Sequence, residues 1–265
     1  MNMNPFQPAI DRAMRAEIPL QTESYSPVPH SIFIDSLAAK LIQANYTLEN
    51  MRMYSNLSGT QVVGFYDVFR NDDLLPSDFG FRMSIGFKNS YDKSMTAALA
   101  IGAKVIICQN GMISGDLITF KRKHTGTIMQ ELQEKIQQSV QSLDSTFARL
   151  VADANIMANY ELTQRQKAEI LGVMYFEEEL VTPRQLSIVK EELDRSQFFK
   201  GDSLWDLYNH VTVALKTSPA RRYIEDHIRL HDFMSDIAGI SHVPLTEEVQ
   251  EMIAVSSETV KDSEL

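Results

Sequence analysis

The chain has 265 residues, 44% of them hydrophobic, and a formal net charge of −10 at pH 7. This composition suffices for one large domain or two small ones with a sizeable core, and the charge argues against a protein coated in DNA-binding surface. The sequence has no run of about 18 apolar residues, so no membrane span is expected.

The single cysteine, Cys108, excludes an internal disulfide bond and a multi-cysteine zinc site. The N-terminus lacks the apolar segment of a secretory signal, so we expect a reducing, cytoplasmic setting. Charge is unevenly placed along the chain. One tight basic run occupies residues 121–124, whereas residues 241–265 hold five glutamates and one aspartate against one lysine, which predicts a flexible acidic tail.

Residues 1–29 contain five of the nine prolines and little periodicity, which predicts an extended N-terminal arm. A helix is predicted over residues 31–44, where the apolar residues share one face. Alternating apolar residues then predict an antiparallel sheet of about five strands. The predicted strands are 46–55, 61–69, 79–88, 95–101 and 104–108. Gly102 and Ala103, between the last two strands, indicate a tight hairpin.

After Thr125 the apolar period becomes helical and predicts one helix of about 30 residues, over residues 129–157. Its apolar stripe has two interpretations: it covers the sheet or a partner helix, or it forms the self-association seam of a homo-oligomer. Later helices have clear start signals. Capping-box patterns begin at Thr163, Thr182 and Ser203, and Ser218-Pro219 is predicted to cap the last helix.

These patterns predict an α+β fold. Residues 30–160 form an antiparallel sheet packed by the long helix, and residues 161–240 form a small helical region packed on that sheet. The N-terminal arm and the acidic tail flank these two units.

Strand 79–88 runs directly into a polar sequence that contains Asn89, Ser90, Asp92 and Lys93. Asn, Ser and Asp form turns because their side chains bond nearby backbone groups, so one interpretation is a strand that ends in a turn. The other is a strand that delivers polar groups to a site. Catalysis is not expected here, because no nucleophile-elbow motif is present.

The basic run Lys121, Arg122, Lys123 and His124 precedes the long helix. Such a run is either a solvated loop or a set of phosphate contacts, helped by the free N–H groups at a helix N-terminus. Cys108 is most simply a small core residue, although a neighbouring lysine or histidine would make its thiol reactive.

His227 and His231 stand four residues apart on a predicted helix, a spacing that can hold a metal ion. The segment HIRLH lacks the glutamate of the zincin motif, so no metal site is expected. The sequence has no phosphate loop, dinucleotide fingerprint or paired CxxC motif. We therefore expect no cofactor and, more generally, no enzyme.

The ordered motifs NSYDKS, ALAIGAKVIICQNGM, RKHT and LWDLYNHVT resemble a family catalogued as domain of unknown function 932, which occurs on phages and plasmids. The resemblance covers about residues 30–235. The matching positions are Asn89, Ser90, Asp92, Lys93, Ser94, Gly102, Cys108, Asn110, Gly111, Lys123, His124, Thr125, Trp205, Tyr208, Asn209 and Thr212. The resemblance brings no biochemical activity with it.

The resemblance implies that these motifs form one polar constellation, with Trp205 as a packing anchor and Asn209 satisfying buried backbone groups. Cys108 and Asn110 would belong to the same constellation. The competing interpretation is structural, since buried polar groups must be hydrogen-bonded and such networks often serve only the fold.

Two functions of different classes fit the sequence. The first is a phage- or plasmid-encoded accessory protein of nucleic-acid metabolism that binds or anneals single-stranded DNA during recombination, by fold-level analogy with single-strand annealing proteins. Lys121, Arg122, Lys123, His124 and Lys93 would contact the nucleic acid. The alternative is a non-enzymatic module that binds a host or phage protein, such as a host-defence inhibitor or a virion-associated factor.

Overall fold

A computed structural model of the protein describes residues 4–23, 25–70, 81–105, 111–113, 118–119 and 128–240. The strands are β1 (Tyr46–Ser55), β2 (Gln61–Arg70), β3 (Phe81–Ser90), β4 (Ala98–Val105), β5 (Gly111–Ile113) and β6 (Ile118–Thr119). The helices are α1 (Gln7–Arg15), α2 (His30–Gln43), α3 (Ile128–Gln141), α4 (Leu143–Ala158), α5 (Gln164–Phe176), α6 (Pro183–Arg195), α7 (Leu204–Leu215) and α8 (Tyr223–Ile237).

The strands form one antiparallel sheet in the order β1-β2-β3-β4-β5, and β6 pairs with β4. The first four strands are therefore neighbours in sequence and in space, which is the simplest antiparallel arrangement. The predicted α+β class is confirmed. The strand bounds of β1 match the prediction, β2 ends one residue later, and β3 begins and ends two residues later.

One face of the sheet is apolar and carries the main core. Side chains such as Met53, Ile85 and Phe87 are fully buried there, packed against Phe33 and Leu37 of α2. Helix α3 contributes Leu132 and Ile136 to the same cluster. Because side chains alternate along a strand, every second residue of β2, β3 and β4 lies on this face. In β1 a register shift between Glu49 and Arg52 interrupts the alternation.

The other face carries polar and small residues, and the start of α8 covers part of it. Phe65 packs there with Ile224, and its ring meets the ring of Tyr223 edge-on at 5.6 Å. Lys88 of β3 pairs with Glu225 of α8. We call this side of the sheet the α8 face.

The helices after residue 143 enclose a second core. Helix α7 lies at its centre, and ten of its twelve residues are buried. Trp205 stacks on Tyr208 at 5.3 Å and meets Phe81, the first residue of β3, edge-on at 5.5 Å. Helix α7 thus contacts the sheet through Trp205 and Phe81.

Helix α1 corrects the prediction of an extended N-terminal arm. Residues 7–15 are helical, with a proline in the first turn, where the fixed φ of proline suits a helix. Its buried residues Ala9 and Ile10 lie four and three positions before the buried Ala13, so the three share one face of the helix. Gly59, with φ of +72°, admits the backbone of Arg12 so closely that a Cβ atom would collide with it.

The predicted hairpin at Gly102 and Ala103 is wrong. Strand β4 runs without interruption through both residues, and Gly102 pairs with Ser84 on one side and Ile113 on the other. A glycine in a strand interior indicates a turn only when no neighbouring strands hold it on both sides.

The predicted single long helix is two helices, α3 and α4, which meet at Ser142. The Ser142 hydroxyl donates to the carbonyls of Gln138 and Ser139, and the Ser139 hydroxyl donates to Lys135. Serine hydroxyls that bond back to the preceding turn bend helices.

Helix starts are confirmed at three of four places. Thr163, Thr182 and Ser203 each form the full capping box. Ser218-Pro219 does not cap the last helix, which begins at Tyr223 with no side-chain cap. Pro219 instead opens a turn in which its carbonyl accepts from Arg222 N at 2.9 Å.

Candidate functional site

The polar sequence after β3 attaches the N-terminal segment to the sheet. Asn89 Nδ2 donates to the carbonyl of Val28 at 2.7 Å and lies 3.0 Å from His30 Nδ1. The Ser90 hydroxyl donates to Met95 O at 2.9 Å and accepts from Met95 N at 3.0 Å. Both side chains are buried, and their bonds explain them structurally.

His30 completes this attachment as a neutral imidazole. Burial lowers its pKa to about 4, against a smaller opposing effect of the Gly59 carbonyl. Nε2 lies 3.2 Å from Gly59 O, so the tautomer that satisfies both nitrogens has Nε2–H donating to Gly59 and Nδ1 accepting from Asn89. The ring stacks on Tyr91 at 3.8 Å, and the Tyr91 hydroxyl accepts from His30 N.

Asp92 and Lys93 occupy the exposed turn beyond this network. Burial alone would raise the pKa of Asp92, but hydrogen bonds from Ser94, Gln61 and Ser90 outweigh it and lower the pKa. Lys93 has φ of 62°, and its Nζ lies 4.6 Å from the centre of the Tyr25 ring. Its ammonium group is exposed and remains a candidate contact for an anion.

Among the described residues of the predicted constellation, Trp205 and Asn89 lie far apart. Trp205 contacts Phe81 at the start of β3, whereas Asn89 is the ninth residue of that strand, about 27 Å away at 3.4 Å per residue. Asn209 Nδ2 donates to Trp205 O at 2.8 Å within α7. The other predicted site residues lie outside the described part of the chain: Cys108, Asn110, Lys121, Arg122, Lys123 and His124.

Both histidines of the HIRLH segment are buried and engaged. His227 Nδ1 bonds Tyr223 O at 2.9 Å, and burial lowers the pKa of His227 to about 4. His231 Nε2 pairs with Asp153 Oδ2 at 3.0 Å. Among the described residues, no three His, Cys, Asp or Glu side chains form a group that could hold a metal ion.

The sequence patterns missed a buried ionic group on the α8 face. Asp67 of β2 is 0% exposed and accepts from Arg52 Nη2 of β1 and from Lys104 Nζ of β4, both at 2.8 Å. Arg82 of β3 pairs beside it with Glu49 of β1 at 2.6 Å. These five residues form what we call the charged end of the α8 face, with three cations against two carboxylates.

A small cavity of about 20 Å³ opens beside this group. Its walls include Arg52, Ser84, Gly102 and Lys104. Among the described residues, neither Arg52 Nε nor the buried Ser84 hydroxyl has a hydrogen-bond partner. The Arg52 guanidinium lies 5.3 Å from the centre of the Phe65 ring, a distance typical of a cation–π contact.

One sequence feature could have revealed this group. Strand β2 reads QVVGFYDVFR, and its aspartate stands among apolar residues at a position that alternation turns toward one face. A carboxylate inside such a strand requires cationic partners, because burying an unpaired charge is costly. Those partners, Arg52 and Lys104, lie on two other strands.

Comparisons with known proteins show which family the chain belongs to. None of the helices in the described ranges is long and apolar enough to cross a membrane. Neither the comparison with curated proteins nor the comparison with solved structures gives a significant match. A family model described as domain of unknown function (DUF932) matches residues 23–233, from the segment attached by Asn89 to the middle of α8. Because this match covers most of the chain, the protein belongs to the DUF932 family.

Proposed function

We propose that the protein binds single-stranded nucleic acid, as a phage- or plasmid-encoded accessory factor of nucleic-acid metabolism with annealing-like activity. The observation that carries the proposal is the charged end of the α8 face, where Arg52 and Lys104 share one buried carboxylate. The surplus positive charge there is local, on a chain whose net charge is −10.

Local positive charge is what a nucleic-acid groove requires, because phosphate contacts supply most of the affinity for single strands. Asp67 fixes the two cations in place before any ligand arrives, which reduces the entropy lost on binding. Arg82, the third cation, is the most exposed of the three.

Aromatic side chains lie next to these cations. Tyr54 follows Arg52 on the same face of β1 and is 50% exposed. Exposed aromatic rings beside a cationic groove stack nucleobases with little preference for sequence. Tyr54 is therefore the described residue best placed to stack a base.

The basic run 121–123 supplies a second set of predicted phosphate contacts. It follows β6, whose Thr119 pairs with Ala98 of β4. Ala98 in turn pairs with Lys88, five residues before the exposed Lys93. Lys93 and this run would then contact the nucleic acid separately from the charged end.

Fluorescence anisotropy with labelled single-stranded and duplex oligonucleotides tests the proposal. We expect preferential binding of single strands and a loss of affinity of about twentyfold between 50 mM and 200 mM salt, for about three phosphate contacts. A Lys121/Arg122/Lys123→Ala variant and an Arg82→Ala variant separate the two cationic regions. No binding of either strand form at low salt would overturn the proposal.

The second candidate is a protein-binding module, such as a host-defence inhibitor or virion-associated factor. Two large aromatic side chains of the helical half favour it: Phe176 is 79% exposed and Phe198 is 58% exposed. Exposed aromatics are enriched in protein interfaces. If a purified basic host protein binds the wild type but not a Phe176→Ser variant, while oligonucleotides bind neither, this candidate replaces the first.

A further inference from the structure

We propose that the cavity at the charged end binds one oxygen of a phosphate group, either from a nucleic-acid backbone or from free inorganic phosphate. The inference rests on the proposed function and adds its contact atoms: Arg52 Nε and the Ser84 hydroxyl donate to a phosphate oxygen, with Lys104 nearby.

Two hydrogen-bond donors at the cavity lack an acceptor among the described residues. Ser84 is 5% exposed, yet its hydroxyl has no hydrogen-bond partner among the described residues, and neither has Arg52 Nε. Buried polar groups are nearly always bonded, and each exception needs an explanation. Arg52 Nε can only donate, so the missing partner must be an acceptor.

A further support is charge. Asp67 accepts from both Arg52 and Lys104, so one carboxylate faces two cations at the cavity wall. An anionic acceptor would balance the remaining charge and form charge-assisted hydrogen bonds, which are stronger than bonds to a neutral acceptor. Water would satisfy the donors but leave the charge unbalanced.

The volume of the cavity fits one oxygen atom of a phosphate. The cavity measures about 20 Å³, and about 10–15 Å³ suffices for one water-sized group. It therefore admits a single phosphate oxygen and excludes a base or sugar. Where Gly86 and Gly102 line the cavity, no side chain narrows it, and a Cβ atom at Gly86 would already lie 2.8 Å from the Phe65 ring.

Two substitutions isolate the proposed contacts from the fold. Ser84→Ala removes a hydroxyl that bonds no described residue, and Arg52→Lys keeps the charge toward Asp67 while removing Nε. Arg165→Lys is the matched control, because Arg165 is an arginine of α5 whose Nε pairs with Glu169 on the same helix. None of the three changes the net charge of the chain.

The first measurement is the melting temperature in inorganic phosphate compared with chloride at equal ionic strength, since a ligand that binds only the native state stabilises it. We expect phosphate to raise the melting temperature of the wild type and of Arg165→Lys. We expect this shift to be lost in Ser84→Ala and Arg52→Lys. Equal shifts in all four proteins, or no shift beyond chloride, would overturn the site and leave a cavity that holds water.

The second measurement is the affinity for a single-stranded oligonucleotide, with and without competing phosphate. We expect Ser84→Ala to weaken binding about tenfold, the loss of one hydrogen bond to a charged group. Oligonucleotide binding that ignores Ser84 and Arg52 would overturn the site while leaving the proposed function intact. A phosphate-dependent shift without oligonucleotide binding would support the site for free phosphate and overturn the proposed function.

Discussion

Asp67 is a fully buried carboxylate in the middle of the sheet, and it needs cationic partners there. Its carboxylate is fully buried and satisfied by Arg52 and Lys104, each on a different strand. Such a group adds little stability over an apolar replacement of the whole set, but removing one member leaves uncompensated charge. The ionic group therefore constrains which substitutions the sheet tolerates.

We expect Asp67→Asn to lower the free energy of unfolding by about 3 kcal/mol, because two partly buried cations lose their anion. Glu49→Gln, in the exposed pair with Arg82, should cost about 0.5 kcal/mol. Urea denaturation measures the free energy of unfolding of both variants, with one shared dependence of that free energy on urea concentration. Equal losses in the two variants would show that Asp67 is not the anchor of the group.

His30 makes stability depend on pH. Its folded pKa of about 4 lies below the ordinary value of 6.5, so between these values the unfolded chain binds a proton that the native chain does not. His30 therefore does not reduce the free energy of unfolding above about pH 6.5, and it reduces that free energy progressively as the pH drops toward 4. His227, with a pKa of about 4, acts in the same direction.

The free energy of unfolding of the wild type falls between pH 7 and pH 5. We expect this fall to be smaller by about 2 kcal/mol in His30→Gln. The remaining pH dependence, to which His227 contributes, should persist. Urea denaturation series at several pH values measure the difference. Identical pH profiles for variant and wild type would mean that His30 is not held neutral in the native state.

At the scale of elements, α1 depends on the turn that receives it. Gly59 and Gly239 both have positive φ, of +72° and +68°, but only Gly59 lies against another backbone, that of Arg12. A Cβ atom at Gly239 would meet nothing within 4 Å. Substitution of Gly239 therefore introduces backbone strain alone, whereas substitution of Gly59 introduces both backbone strain and a steric clash.

We expect Gly239→Ala to cost about 1 kcal/mol, from the left-handed conformation alone. Gly59→Ala should cost about 2 kcal/mol more, because α1 must also shift. Hydrogen exchange should then show faster exchange at residues 7–15 in Gly59→Ala only. Equal protection of α1 in both variants would contradict this packing.

The capping boxes of α5 and α6 differ in one contact. Gln166 and Gln185 play the same role in their boxes, but Gln185 is buried and its Nε2 also donates to the Ser218 hydroxyl at 3.0 Å. We expect Gln166→Ala to cost about 1 kcal/mol and Gln185→Ala about 2 kcal/mol. Thermal or urea unfolding compares them, and a larger loss at Gln166 would refute the bridging role.

The elements that the sequence predicted correctly are those specified locally. A capping box joins residues three positions apart, so its pattern is visible in the sequence at Thr163 and Thr182. Strand β4 is different, because Gly102 stays extended only through pairing with Ser84 and Ile113. The break at Ser142 escaped prediction because serine is also tolerated inside straight helices.

The candidate site divides in the same way. The turn chemistry of Asp92 with Ser94 is local and follows from residue type. The bond of Asn89 to Val28 spans 61 residues, and Asp67 reaches Arg52 over 15 residues and Lys104 over 37. Such contacts depend on strand order and register, which side-chain periodicity does not specify.

At the scale of the whole molecule, two cores share β3. Its apolar face packs on α2 and α3, and its first residue, Phe81, packs in the helical core with Trp205. The opposite face of the sheet carries the charged end, while the large exposed aromatics of the helical half lie on other elements. The two candidate functions therefore use different surfaces of one molecule.

Ultraviolet crosslinking of a labelled oligothymidine, with mass-spectrometric location of the modified residues, tests the central claim most directly. We expect crosslinks at Tyr54 of the sheet, at Tyr223 of α8 or at the basic run 121–123, and competition by unlabelled single strands. Arg82→Ala should reduce the yield of these crosslinks. Crosslinks confined to residues 161–215, or none above the level of an unrelated acidic protein, would contradict nucleic-acid binding on the α8 face.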